Sequence, residues 1–257
     1  RGAMTEVSLE RLIAARREAR AIEPPSAVRR LSVAEAYAVQ DRLREALLAQ
    51  GERLVGWKVG LTTRAAQQQF EVEEPVSGFL LAGGVHPSGA ALPSARFAGL
   101  GVEAEVAFVM ERDLAGPGVT PLEALRAVAG ALPALEVVDF RFGGRPVGTD
   151  MIADGVFAGA VVLGGVLTPV QGLELALEGL VYELNGAVAA TATAAEVMGS
   201  PINSLAWLAN HLGGRGLGLR AGDLVMSGSV SVLLRPKPGD VVRATFTRLG
   251  AVTVRFG

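Results

Sequence analysis

The sequence contains no cysteine, which removes disulfides, thiolate metal sites and thiol nucleophiles from consideration. Histidine occurs only at positions 86 and 211, too few for a multi-histidine zinc centre. An excess of one charge is also missing: 24 basic and 26 acidic residues give a net charge of −2 with no basic stripe, so there is no nucleic-acid footprint. Half the residues are hydrophobic and 19% are charged, a balance that excludes disorder. Gly155–Leu173 carries no formal charge, but Gly164-Gly165 and Pro169 interrupt it. A membrane-spanning helix wants roughly twenty unbroken apolar residues, so no membrane association is expected. Arg1-Gly-Ala3 ahead of Met4 reads as a vector remnant. No secretory signal follows Met4, and with the absence of cysteine this fits a cytoplasmic protein.

What is present divides the chain in two. Residues 5–53 read as a helical region, with apolar residues at three- and four-residue spacing over Ser8–Ile22 and Ser32–Gln50. Pro24-Pro25 separates the two helices, Ser32 with Glu35 forms a capping box, and Gly51 stops the second. Residues 54–257 read as a β-rich catalytic domain of short runs punctuated by glycine and proline. Strands are expected at 54–61, 79–81, 102–110, 134–140, 156–163, 180–185, 188–190, 224–234 and 241–256. Helices are expected near 62–70, 121–131 and 201–213. The pattern lacks βαβ alternation, so the fold class is α+β, with a mixed, mostly antiparallel sheet curled into a roll or barrel.

Within that domain Glu103-Ala-Glu105 lies in an apolar run, Val102 to Val109. Residues i and i+2 of a strand share a face, so both carboxylates project together. Such pairs are common on half-exposed strands, and alone this one would be read that way. Glu136, in Leu132-Pro-Ala-Leu-Glu-Val-Val-Asp139, repeats the setting and tips the balance. Three oxygen ligands on apolar strands suit Mg²⁺ or Mn²⁺. Lys58 has Trp57, Val59 and Leu61 around it. Judged locally it is a solvated strand-edge lysine.

Taken in order, several segments form a specific set: Gly56-Trp-Lys-Val-Gly-Leu-Thr62, Glu103-Ala-Glu105, Ala134-Leu-Glu-Val-Val-Asp139 and Asp150-Met-Ile-Ala-Asp154, then Ser200–Asn210, Arg220–Gly228 and Leu249–Phe256. From about Leu31 to Phe256 the chain resembles the 2-keto-4-pentenoate hydratase / 2-oxo-3-hexenedioate (4-oxalocrotonate) decarboxylase family, within the fumarylacetoacetate hydrolase superfamily. The resemblance implies that superfamily's β-roll, a divalent metal and a 2-oxo acid substrate. Glu103, Glu105 and Glu136 match the family's metal carboxylates, and Lys58 its active-site lysine. Asp154 is a candidate to orient Lys58 or the metal shell, the alternative being a turn cap. Asp139 and Arg141 are candidates to bracket the substrate carboxylate, or a structural ion pair. Leu61 and Val76 are candidate substrate-lining residues. Ser227, with Gly228, is a candidate source of hydroxyl and backbone donors, or a plain turn.

The chain also departs from the resembled family. Hydratases carry Pro-Asp-x-Gly where this sequence has Pro75-Val-Ser-Gly78, and Val76 cannot transfer a proton. That favours the decarboxylase branch. Phe140, Phe157 and Gly101 stand where the family has polar or basic residues, which points to an altered substrate tail. The expectation is a Mg²⁺- or Mn²⁺-dependent lyase acting on a short unsaturated 2-oxo acid, leaning to decarboxylation of a 2-oxo-3-enedioate. The alternatives are a 2-hydroxypenta-2,4-dienoate hydratase and a non-catalytic subunit. Acylpyruvate hydrolysis would need a Glu-His pair that is not visible. The resemblance further implies homo-oligomers and association with a sister hydratase or decarboxylase. His86 is expected in an exposed loop, His211 at a helix carboxyl end, and Trp57 and Trp207 in the core.

Overall fold

A computed structural model describes the backbone from Gly2 to Gly257 and side chains from Leu9 onward. In chain order the helices and strands are α1 (Gly2–Glu18), α2 (Val33–Ala49), β1 (Leu54–Gly60), α3 (Arg64–Gln69), β2 (Val76–Leu81), β3 (Val85–Pro87), β4 (Ala90–Leu92) and β5 (Leu100–Met110). There follow α4 (Pro121–Ala127), β6 (Val128–Asp139), α5 (Gly148–Ala153), β7 (Ala158–Leu163), β8 (Gly179–Leu184) and β9 (Ala187–Thr193). The chain closes with α6 (Pro201–Gly214), β10 (Leu224–Ser229), β11 (Val241–Phe246) and β12 (Gly250–Phe256).

The strands form two sheets, ordered β2-β1-β10-β5-β6-β7-β3 and β4-β12-β11-β8-β9. Most neighbours are antiparallel; β1 with β10, β12 with β4 and β3 with β7 are parallel. The large sheet curls as a half-barrel, and the smaller one packs across it through β12 on β6 and β7. Tyr182 of β8 donates its hydroxyl to the Val102 carbonyl of β5 at 2.9 Å, joining the two sheets from within the core. Long β5 and β6 are buried almost throughout, which is why their sequences read as continuous apolar runs.

The N-terminal helices pack directly on the large sheet. Ser32 caps α2 reciprocally with Glu35 as expected, and Gly51 takes φ +100°. Buried Gln40 donates to the carbonyls of Ser77 and Ile152, and the Tyr37 hydroxyl accepts from the Ser77 amide. Three expectations are corrected. Helix 121–131 ends at Ala127, because Val128 to Leu132 pair along β5. The run 241–256 is a hairpin, β11 and β12, turning at Gly250 with φ +90°. His86 lies half-buried in β3 rather than in a loop. The six-residue α5, buried on every side, has no amphipathic period and went unpredicted.

Candidate active site

Glu103 and Glu136 face each other across β5 and β6 in direct register. Like charges so placed repel. Glu105, two residues along β5, projects to the same side, and one carboxylate oxygen from each of the three acids lies within 4.8 Å of the others. Burial is the main cause of altered acidity in the two acids of β5, and repulsion from neighbouring carboxylates adds to it: Glu103 is pushed up to about 7, and Glu105 well above the ordinary carboxylate range.

Neighbouring strand β10 serves this cluster through an irregularity. Its pairing with β5 shifts between Met226 and Ser229, a bulge of the kind that re-aims backbone groups. Gly228, at φ +119°, points its amide at Glu105 Oε2, 2.9 Å away, and the Ser229 hydroxyl, which donates to the Ser231 carbonyl at 2.8 Å, lines the cavity with Glu103. Glu105 Oε1 is left buried without a partner. Orphaned buried oxygens are rare, and a set of three carboxylates with an open lone pair is the donor chemistry of a hard divalent cation. The residues therefore fit Mg²⁺ or Mn²⁺.

Lys58 is 3% exposed. Its ammonium contacts Glu136 Oε1 and donates to the Val156 carbonyl at 2.8 Å. Gly78 makes that geometry possible. It sits opposite Lys58 in β2, and a Cβ there would fall 2.4 Å from the Gly155 carbonyl and 3.2 Å from Lys58 Cγ. The bare position lets the Gly155–Phe157 segment cross close above the lysine. Val156 and Phe157 both adopt the left-handed region, at φ +57° and +55°, as does Leu61 at +53°. Non-glycine residues pay for that conformation, and all three line one cavity with Lys58, Glu103 and Glu136. The cavity is about 640 Å³, and Val138, Phe140 and Met151 supply further apolar wall.

A fumarylacetoacetate (FAA) hydrolase C-terminal family model matches residues 57–256. The chain belongs to the fumarylacetoacetate hydrolase family. It is 35% identical over 227 residues to a 2-keto-4-pentenoate hydratase of Paraburkholderia xenovorans (strain LB400), covering 88% of this chain and 84% of that protein. Identity is 32% over 227 residues to a 4-oxalocrotonate decarboxylase of Pseudomonas putida, covering 88% and 86%. The solved 4-oxalocrotonate decarboxylase from Pseudomonas putida G7, complexed with magnesium and adipate, superposes with a TM-score of 0.96 at 29% identity, over 100% of this chain and 98% of that one.

Other residues of this family member lie apart from the cavity. The Asp154 carboxylate faces Arg141, with nitrogen–oxygen distances of 2.7 to 3.1 Å, and Arg16 at 3.6 Å; Lys58 is held by Glu136 and a carbonyl instead. Arg141 also binds Asp139 at 2.9 Å, and Asp139 accepts from the Ala98 and Gly99 amides. Those three residues form a buried ion network, not a substrate clamp. The Ser227 hydroxyl is spent on the Val106 carbonyl at 2.6 Å; the donor reaching the cluster is the Gly228 amide. Val76 opposes Gly60 in the sheet, two residues before Gly78 and so on the face that Lys58 occupies, but it is not among the residues that line the Lys58 cavity. His211 stacks on Trp207, 4.7 Å between centroids, and burial with nearby Arg215 drives it down to about 4. It is neutral and does not serve the helix dipole as a cation. Sequence reasoning missed Ser229 and Arg235, which also line the cavity; Ser229 was signalled only by its nearness to the Gly228 bulge.

Proposed function

We propose that the chain is a divalent-metal-dependent lyase that releases carbon dioxide from a short 2-oxo-3-enedioate. The observation that carries this reading is the three-carboxylate cluster joined to Lys58 at a cavity whose wall includes Leu61, Val138, Phe140, Val156 and Phe157. Glu103, Glu105 and Glu136 would hold the cation, which when bound supplies Lewis acidity to a chelating 2-oxo acid. The carbon–carbon bond to the distal carboxylate breaks, its electron pair passes through the conjugated enone to the 2-oxo oxygen, and carbon dioxide leaves. A proton then returns to carbon. An ammonium has three donors. Glu136 and the Val156 carbonyl occupy two at Lys58 Nζ, so one remains for the substrate, and Lys58 Nζ is the proton source the cavity offers. The aromatic and aliphatic walls exclude water from the dienolate.

Hydration of a 2-hydroxypenta-2,4-dienoate is the second reading. The identity to hydratases is as high as to decarboxylases, and Glu196, at the cavity rim, could direct a water. Val76, on the Lys58 face of the sheet and unable to carry a proton, and the apolar wall at Val138, Phe140, Val156 and Phe157 both favour decarboxylation. The same reading places the enzyme in the cytoplasm as a homo-oligomer able to join a sister hydratase. No described helix is long and apolar enough to cross a membrane. The uncharged, exposed edge strand β9 supports strand pairing with another chain. A panel of 2-oxo-3-hexenedioate and 2-hydroxypenta-2,4-dienoate, with Mg²⁺, with Mn²⁺ and with chelator, tests the assignment. Carbon dioxide release from the diacid should exceed hydration of the dienoate and vanish with chelator; efficient hydration without decarboxylation would reverse the order.

A further inference from the structure

The cavity is electrostatically two-ended. Its inner end holds the acid cluster, and the charge of Lys58 is committed there to Glu136. The other cation lining it is Arg235, in the segment after β10. Arg235 has no acidic partner among the described residues; Glu196 lines the same cavity but forms no ion pair with it. The guanidinium carbon lies 4.6 Å from the Phe140 ring centroid, and Phe140 packs on Phe157 at 5.5 Å. Gly101 explains the position of that platform. A Cβ at 101 would fall 2.9 Å from Phe140 Cε2 and 2.8 Å from Leu233 Cδ1, so the absent side chain is what lets the ring lie there. A guanidinium stacked through its face keeps its in-plane N–H groups free, in the fork that matches a carboxylate.

We propose that Arg235, stacked on Phe140, receives the distal carboxylate of the substrate and so selects dicarboxylic over monocarboxylic 2-oxo acids. The proposal rests on the lyase reading and adds its specificity determinant. The 2-oxo acid end of the substrate goes to the acid cluster and the far carboxylate to Arg235. If that carboxylate is the one lost, pairing with Arg235 stabilises the ground state more than the transition state. The interaction then lowers KM and does not raise kcat.

Two non-reacting probes isolate the contact: 2-oxoadipate and 2-oxohexanoate, which differ only in a terminal carboxylate against a methyl group. Calorimetric titration of the Mg²⁺-loaded protein should show the diacid binding more tightly. Arg235→Ala should reduce the diacid-to-monoacid affinity ratio about five- to tenfold, the range for an exposed charged hydrogen bond, with Arg235→Lys between. With a 2-oxo-3-enedioate, Arg235→Ala should raise KM by a similar factor at equal or higher kcat. Arg235 is exposed, so the melting temperature should hold. Equal losses for both probes, no loss for either, or a fall in kcat at constant KM would each overturn the proposal. A wild-type protein that releases no carbon dioxide, yet loses diacid selectivity in Arg235→Ala, would refute the reaction and leave the anchor standing.

Discussion

Two clusters of buried charge lie close together in this protein, one on each side of the Asp154–Phe157 segment. In the first, Arg16 and Arg141 meet Asp139 and Asp154, two cations against two anions. Asp154 is met by both arginines, Asp139 by Arg141 and the Ala98 and Gly99 amides, and Arg141 gains the Ala158 carbonyl as well. In the second, Glu103, Glu105 and Glu136 face Lys58 alone. One acid oxygen there has no partner, and two of the acids are displaced upward in pKa. Both clusters cost hydration to bury. Only the second remains short of positive charge. The deficit of positive charge, more than burial or the number of charged residues, is what separates the two clusters.

The sharpest way to break the comparison is to remove the cation from each cluster. Arg141→Ala strands two aspartates in the core, and the expected loss is about 3–5 kcal/mol of stability, read by urea unfolding. A variant that unfolds at the wild-type midpoint would show the network to be dispensable. Lys58→Ala should differ once bound Mg²⁺ neutralises the acids: turnover falls by about 10²-fold or more, as for a lost acid–base group, while the unfolding midpoint measured with Mg²⁺ moves less than for Arg141→Ala. Near wild-type turnover would return Lys58 to a structural role. A smaller effect sharpens the contrast from the acid side. Metal that binds only the native state raises its melting temperature. Mg²⁺ or Mn²⁺ should do so here, and Glu105→Gln should abolish most of the rise. The metal-free variant should melt no lower than wild type, because it has lost a repulsive charge. An undiminished metal shift would relocate the metal site.

Much of this contrast was legible in the sequence, and the illegible part has a common cause. Alternation within apolar strands put Glu103 and Glu105 on one face, and the setting of Glu136 matched theirs; ladder register then did the rest. Lys58 looked like an edge lysine, since nothing local reveals that Gly78 and the Gly155–Phe157 crossing enclose it. Arg141 was chemically suited to grip a carboxylate, and it does so, but the carboxylates are those of Asp139 and Asp154. Spacing along a chain cannot say toward which side of a sheet an arginine will turn. Arg235 was invisible for a different reason: its platform depends on the missing side chain of Gly101, and an absence carries no motif. Helix α4 ended early at Val128 because β5 offered a long apolar partner, a tertiary demand that overrides local helix preference.

Lys58 is anchored in part by a main-chain oxygen, that of Val156. A carbonyl is the same whichever side chain its residue bears. So long as the backbone keeps its left-handed path, the walls at 156 and 157 can be exchanged for others without taking away that anchor of the Lys58 ammonium. The pocket can thus be re-lined while its buried cation stays in place, a separation of tenancy from tooling that leaves the lining free to drift.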